Sequence, residues 1–308
     1  MGEVIRRLAL LTSTLALVVA AHSATGQREG YSYLSYAGSE VSLLSNASDD
    51  SSAAVNTPVM AGDRIQTGSS SRAEVILADG NVLRIDGRTA VRFDRLAATY
   101  EADDDRDLVT VEKGSVSLET RLQAPRETSP RIDTDDATVT VPDRSVIRVD
   151  AGKRGTEVFV LSGNAEVAGR AGRAVVRAGE SAHVAGDDPI EVDRALMPRD
   201  RFTRFVEERR ERFIQSGTSR YVSDDYAYDY DQGDFDEYGS WTYASSLDSY
   251  CWRPSVAAGW LPYSNGYWRW TPCGLTWVSY EPWGWLPFHF GSWSLDPAIG
   301  WCWLPGRH

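Results

Sequence analysis

Ala73-Glu74-Val75-Ile76-Leu77-Ala78-Asp79-Gly80-Asn81-Val82-Leu83-Arg84-Ile85 is the stretch whose reading decides the fold of most of this chain. Two runs rich in branched apolar residues flank an Asp-Gly turn, whose backbone suits the twist of a tight antiparallel connection, so the stretch predicts a β-hairpin. Upstream, Val59-Met60-Ala61-Gly62-Asp63-Arg64-Ile65-Gln66-Thr67-Gly68 leads into it. Downstream come Val91-Arg92-Phe93 and Leu108-Val109-Thr110-Val111, with Lys113-Gly114 read as a turn into Ser115-Val116-Ser117-Leu118. A second half repeats the style in Ala137–Val141, Ser145–Val149, Thr156–Val160, Ala165-Glu166-Val167, Ala174-Val175-Val176 and Ala182-His183-Val184. Strands this short, with Gly turns every ~8–12 residues, predict an all-β domain over residues 27–193, built as a sandwich or a solenoid-like stack.

The C-terminal part is made of different material. All 11 tryptophans lie between Trp241 and Trp303. Gly239-Ser240-Trp241, Gly266-Tyr267-Trp268 and Gly291-Ser292-Trp293 recur at steps of 27 and 25 residues, and Trp252, Trp277 and Trp303 follow at 25 and 26. Gly259-Trp260-Leu261-Pro262-Tyr263 returns as Gly284-Trp285-Leu286-Pro287-Phe288. A fixed period of this kind marks a unit that cannot bury its apolar face alone and stacks on copies of itself. Gly and Pro break the aromatic runs, so residues 239–308 are expected to form a small Trp-rich β-repeat domain of three hairpin-like units without a helix.

Two connectors join these parts. Asp200 can cap an amphipathic helix within 194–217, with Phe202, Phe205, Val206 and Phe213 largely on one face, expected to dock on the β domain. Residues 218–238, rich in Asp and Tyr and poor in aliphatics, read as a flexible acidic linker. At the other end, Arg6 and Arg7 precede an apolar run from Leu8 to Ala21 and then small residues. That is the pattern of a secretory signal peptide over residues 1–26, with a core too short to span a bilayer, so the chain is expected in the periplasm or at the cell surface. No later stretch is apolar for long enough to predict a transmembrane span.

The all-β stretch resembles the FecR domain. The likeness rests on Gly62-Asp63-Arg64-Ile65-Gln66-Thr67-Gly68, Ser71-Arg72-Ala73-Glu74-Val75, Asp79-Gly80, Leu83-Arg84-Ile85 and Gly114-Ser115-Val116. It continues in Arg154-Gly155-Thr156-Glu157-Val158, Gly163-Asn164-Ala165-Glu166-Val167 and Ala178-Gly179-Glu180. The resemblance implies a periplasmic β-rich domain, known best from regulators that relay a surface signal to an anti-sigma module. This chain has an apparent cleavable signal where those regulators have a cytoplasmic module and a membrane helix, so transmembrane signalling does not carry over. The C-terminal part resembles an uncharacterised Trp-rich region found after FecR-like domains in exported bacterial proteins, which implies no activity.

The chemistry legible in the sequence is sparse. A formal net charge of −12 excludes nonspecific nucleic-acid binding. The four histidines, His22, His183, His289 and His308, form no metal-ligand spacing, and no nucleophile elbow, zinc helix or phosphate loop is present. No enzyme activity, metal or cofactor is expected. The expected partners are envelope proteins or cell-wall and surface glycans. The primary reading is a non-enzymatic exported scaffolding or protein-interaction module. The alternatives are glycan or peptidoglycan binding through exposed indoles and a FecR-like regulatory signalling partner. Most indoles should form the domain's own core. Trp268 with Trp270, and Trp283 with Trp285, would each project from one strand face at period two, and these four are the candidate ligand-binding residues. Cys251 and Cys302 precede Trp252 and Trp303 in the first and last units and are a candidate disulfide, with Cys273 left over; packing of all three as small apolar fillers is the equal alternative.

Overall fold

The computed structural model describes residues 32–45, 53–78, 80–96, 106–120, 129–215, 220–222, 232–271 and 274–306, with the side chains of 213–215 and 232–234 excepted. The expected signal peptide, Asp79, Phe213, Cys273 and residues 223–231 of the expected linker lie outside this description.

The N-terminal domain contains sixteen strands: β1 (Ser32–Ala37), β2 (Val41–Leu44), β3 (Pro58–Val59), β4 (Arg64–Thr67), β5 (Ala73–Ile76), β6 (Val82–Ile85), β7 (Ala90–Arg95), β8 (Leu108–Glu119), β9 (Arg131–Asp133), β10 (Thr138–Thr140), β11 (Val146–Gly152), β12 (Gly155–Ser162), β13 (Asn164–Gly169), β14 (Gly172–Arg177), β15 (Glu180–Val184) and β16 (Glu191–Arg194). One sheet runs β3-β1-β5-β6-β8-β11-β12-β15-β16. The other runs β2-β4-β7-β8-β9-β10-β13-β14. A single core lies between them, with Ile65, Phe93, Val139 and Val167 from one side meeting Leu83, Ile85, Ile147 and Val158 from the other. The layering is that of a sandwich. Apart from β3, the strands of each sheet follow one another in chain order, which is the solenoid-like aspect.

Strand β8 belongs to both sheets. Leu108–Lys113 pairs with β7 and β9, and Gly114–Glu119 pairs with β6 and β11. The expected turn at Lys113-Gly114 is therefore a bend within one long strand. Gly114 has φ +93°, and a Cβ there would stand 2.3 Å from Thr89 Oγ1, so only glycine lets the strand change sheets at this corner.

Strands β5 and β6 are buried on both faces, which alternation alone does not demand. Helix α1 (Arg201–Gln215) covers part of the outer face. Asp200 caps it as expected, accepting the Thr203 amide at 2.9 Å and the Arg148 guanidinium at 2.7 Å. Phe202 and Val206 are buried against the sheet, and Arg148 and Arg209 lie over the rings of Phe202 and Tyr36. Beneath the helix, Arg84 donates to Glu74 at 2.7 Å and Glu119 at 2.9 Å. Arg209 and Arg210 of α1 reach the same two carboxylates. The helix is held by a buried charge network as well as by its apolar stripe.

The C-terminal domain begins earlier than expected. Residues placed in the linker form helix α2 (Gln232–Tyr238), and Phe235 from it is fully buried in the aromatic core. A flexible acidic linker therefore does not extend to residue 238. Three antiparallel hairpins follow: β17 (Gly239–Ala244) with β18 (Ser249–Pro254), β19 (Gly266–Thr271) with β20 (Gly274–Ser279), and β21 (Ser292–Asp296) with β22 (Gly300–Leu304). The first and last join into one sheet, β17-β18-β22-β21, while the middle hairpin stands as its own two-stranded sheet. Copies do not stack uniformly. The expectation of no helix here is also corrected by α3 (Trp285–His289), a short helix whose Pro287 sits in the first turn, where its missing N–H costs no hydrogen bond.

Candidate functional site

The repeat has a physical explanation at the level of the hairpin. In every unit the first-strand Trp stands directly opposite the second-strand Trp: Trp241 with Trp252, Trp268 with Trp277, and Trp293 with Trp303. The glycine two residues before each first-strand Trp lets the backbone lie on the partner indole. A Cβ at Gly239, Gly266 or Gly291 would come within 2.4, 2.7 or 2.7 Å of Trp252, Trp277 or Trp303, respectively. The recurring Gly-x-Trp is therefore a packing rule, in which a small residue makes room for a large one across the hairpin.

The three units differ in what covers them. Trp252 and Trp303 are fully buried, and their Nε1 atoms donate to the carbonyls of Phe235 at 3.0 Å and Phe290 at 2.8 Å. Trp241 is stacked beneath Tyr221 at 4.6 Å between ring centres. Trp293 packs on Trp260 at 5.3 Å and donates to the Pro287 carbonyl. In the middle unit Trp277 is buried, but Trp268 is 56% exposed and Trp270 is 72% exposed. Leu275, which faces Trp270 across the hairpin, is exposed as well, and so is Tyr263, whose ring lies parallel to Trp268 at 6.3 Å. The result is an aromatic and aliphatic surface on one side of the β19–β20 hairpin.

The opposite side is anchored to the sandwich. Asn56 donates its side-chain amide to the Ser279 carbonyl at 3.0 Å and the Glu281 carbonyl at 2.7 Å. Arg269 is nearly buried and lies 3.9 Å from the Asp63 carboxylate. Burial raises the Asp63 pKa, with hydrogen bonds from Met60 and Ser45 and the Arg269 charge acting against it. The exposed indoles thus project from a hairpin fixed at its back.

Of the four candidate indoles, the structure brings Trp268 and Trp270 together on one open strand face. Trp283 and Trp285 are corrected: each is only 2% exposed, and they share no strand, because the chain turns through Gly284 into α3. Trp283 packs in the aromatic core against Trp252 and Phe288. Trp285 stacks on Tyr33 of β1 at 4.0 Å and 7°, joined by Ile76 and Val82. It is a contact between domains. The sequence holds no local signal for this, since Tyr33 and Trp285 are far apart along the chain. Beside them His289 sits against Trp285, with Nδ1 2.6 Å from the Trp285 carbonyl. Burial lowers its pKa to about 4, so the ring is neutral at neutral pH.

Elsewhere on the sandwich an open groove of about 970 Å³ is lined by groups of both signs, among them Asp150, Lys153, Glu157 and His183. No group of three or more metal-ligating side chains occurs among the described residues. No helix among them is long and apolar enough to cross a membrane.

Residues 63–166 match the FecR protein family, and residues 232–308 match a family of unknown function, DUF6600. The FecR match lies wholly within the sandwich. The DUF6600 match starts at the first residue of α2, which agrees with the structural boundary of the C-terminal domain. No curated protein matches the chain. Two crystal structures of a "putative anti-sigma factor" from Parabacteroides distasonis, at 1.65 and 2.50 Å resolution, are similar at 19% identity with a TM-score of 0.36. The similarity covers 43% of this chain and 59% of that one, so it spans less than two thirds of the other protein.

Proposed function

We propose that this chain is a non-enzymatic cell-envelope protein that works by binding other proteins, with the Trp268–Trp270 face of the DUF6600 domain as its contact surface. The observation behind this reading is the contrast among the three hairpins. Units one and three cover their first-strand indoles with aromatic groups of the same chain, and unit two leaves Trp268 and Trp270 open beside Leu275. Exposed Trp on a rigid support is the composition of an interaction hot spot, because little side-chain freedom is lost on contact. The FecR match supports a protein-interaction role of the regulatory kind. The placement in the envelope rests on the basic and apolar pattern at the N-terminus.

The test is affinity capture from envelope extracts with the full chain as bait, comparing the native protein with the W268A/W270A double variant. Recovery of a protein partner by the first and its loss by the second, with a cooperative thermal melt retained, is the expected result. Equal recovery by both would overturn the assignment of the face. A second reading, stacking of glycan rings on the same indoles, is favoured by their placement two residues apart on one strand face, about 7 Å along the strand. Co-sedimentation with purified peptidoglycan that is lost in the same double variant would select it.

A further inference from the structure

Cys251 and Cys302 lie on the side of the four-stranded sheet away from the buried indoles. Trp252 and Trp303 face each other across β18 and β22, so the residues just before them point the other way. There both thiols are fully buried beside Ala244, with Leu247, Ile299 and Leu304 around them. Cys251 Sγ lies 3.6 Å from the Thr242 carbonyl oxygen, and the two thiols pack in the same small cluster. The repeat gives this placement a meaning. The position before the second-strand Trp is Cys in units one and three, which adjoin, and Thr276 in unit two, which forms a separate sheet. Thr276 instead bonds the Thr271 hydroxyl at 3.0 Å. Sulfur occupies this position only where two units meet.

We propose that Cys251 and Cys302, which are free thiols in this structure, are partners in an intramolecular disulfide that ties the first hairpin of the DUF6600 domain to the last. The two thiols give up two protons and two electrons as the Sγ–Sγ bond forms. The electrons pass to the S–S bond of an oxidised thiol–disulfide oxidoreductase or a small disulfide such as oxidised glutathione, which breaks into two thiols and takes up the protons. Burial, together with the neighbouring Cys251 thiol and Asp296, pushes the Cys302 thiol up to about 12. Both sulfurs are closed off from outside reagents once the sheet has formed, so the bond is made while the hairpins come together.

The test uses the full chain, reduced and unfolded, then refolded in a buffer of reduced and oxidised glutathione. Acid quenching, alkylation and peptide mass spectrometry follow. The expected product links the Cys251 peptide to the Cys302 peptide, leaves Cys273 alkylated, and exceeds any other pairing at least tenfold. The oxidised chain also melts several degrees above the same chain kept reduced, a comparison that needs no variant to fold. Alkylation of all three cysteines, or a dominant link through Cys273, overturns the proposal. The buffer supplies the oxidant, so this outcome does not depend on export or on the contact face.

Discussion

Glu74 keeps its charge without solvent around it. Burial alone would raise its pKa, but the Arg209 and Arg84 guanidinium groups and the Ser35 hydroxyl hold it at about 2. Removing the carboxylate charge leaves two arginines facing a neutral group in a site shielded from water, so Glu74→Gln is expected to cost about 3–5 kcal/mol in urea unfolding. The same logic sets the acid response. A carboxyl whose folded pKa is depressed stabilises the fold above its ordinary value of 4.5, and that contribution fades as the pH falls toward 2. His289 acts in a higher window. Its folded pKa of about 4 lies below the ordinary 6.5, so the unfolded chain binds the extra proton between those values. Stability present above pH 6.5 is thus lost on acidification toward pH 4, by roughly 3 kcal/mol. Thermal melts at stepped pH should show this loss in the native chain and its absence in His289→Gln, with the lower window retained.

At the level of elements, what could be read from the sequence was what is local. Asp200 announced α1 because an N-cap acts on amides two and three residues away. Asp200→Ala should cost about 1–2 kcal/mol by loss of that cap, with a further penalty because Arg148 loses an acceptor, measurable by urea unfolding. The strands β5 and β6 were legible from alternation around the turn. Their outward Glu74 and Arg84 also fit a solvent-facing side, and only the packing of α1, more than a hundred residues later, makes that side interior. Trp283 and Trp285 illustrate the opposite limit. A spacing of two means a shared face only if the backbone is extended, and the intervening Gly284 begins a helix instead. The Gly-x-Trp period correctly marked three hairpins. Which of their indoles would stay open depended on Tyr221 and Trp260, supplied from outside the hairpins they cover.

At the scale of the whole molecule, the two domains are joined through the Trp285–Tyr33 stack, the two Asn56 hydrogen bonds and the Arg269–Asp63 and Arg212–Glu237 ion pairs. Trp285→Ala should destabilise the native chain by about 3–5 kcal/mol. It should also split a single calorimetric transition into two, as the sandwich and the C-terminal domain lose much of their coupling. A single undivided transition in the variant would mean that the domains are held together elsewhere. The exposed pair differs within itself: Trp268 packs edge-on against core Trp277 at 5.3 Å, while Trp270 is 72% exposed and makes no ring contact of this kind among the described residues. Trp270→Ala should leave stability within about 0.5 kcal/mol of native by thermal melting.

The seat of Trp285 on β1 also sets a timetable. Tyr33, Ile76 and Val82 precede the indole that shields them by more than 200 residues. Wherever the chain folds, closing that contact spans a long loop, whose closure lags behind the local hairpins. The N-terminal sheet therefore keeps an apolar patch open until Trp285 is seated on it.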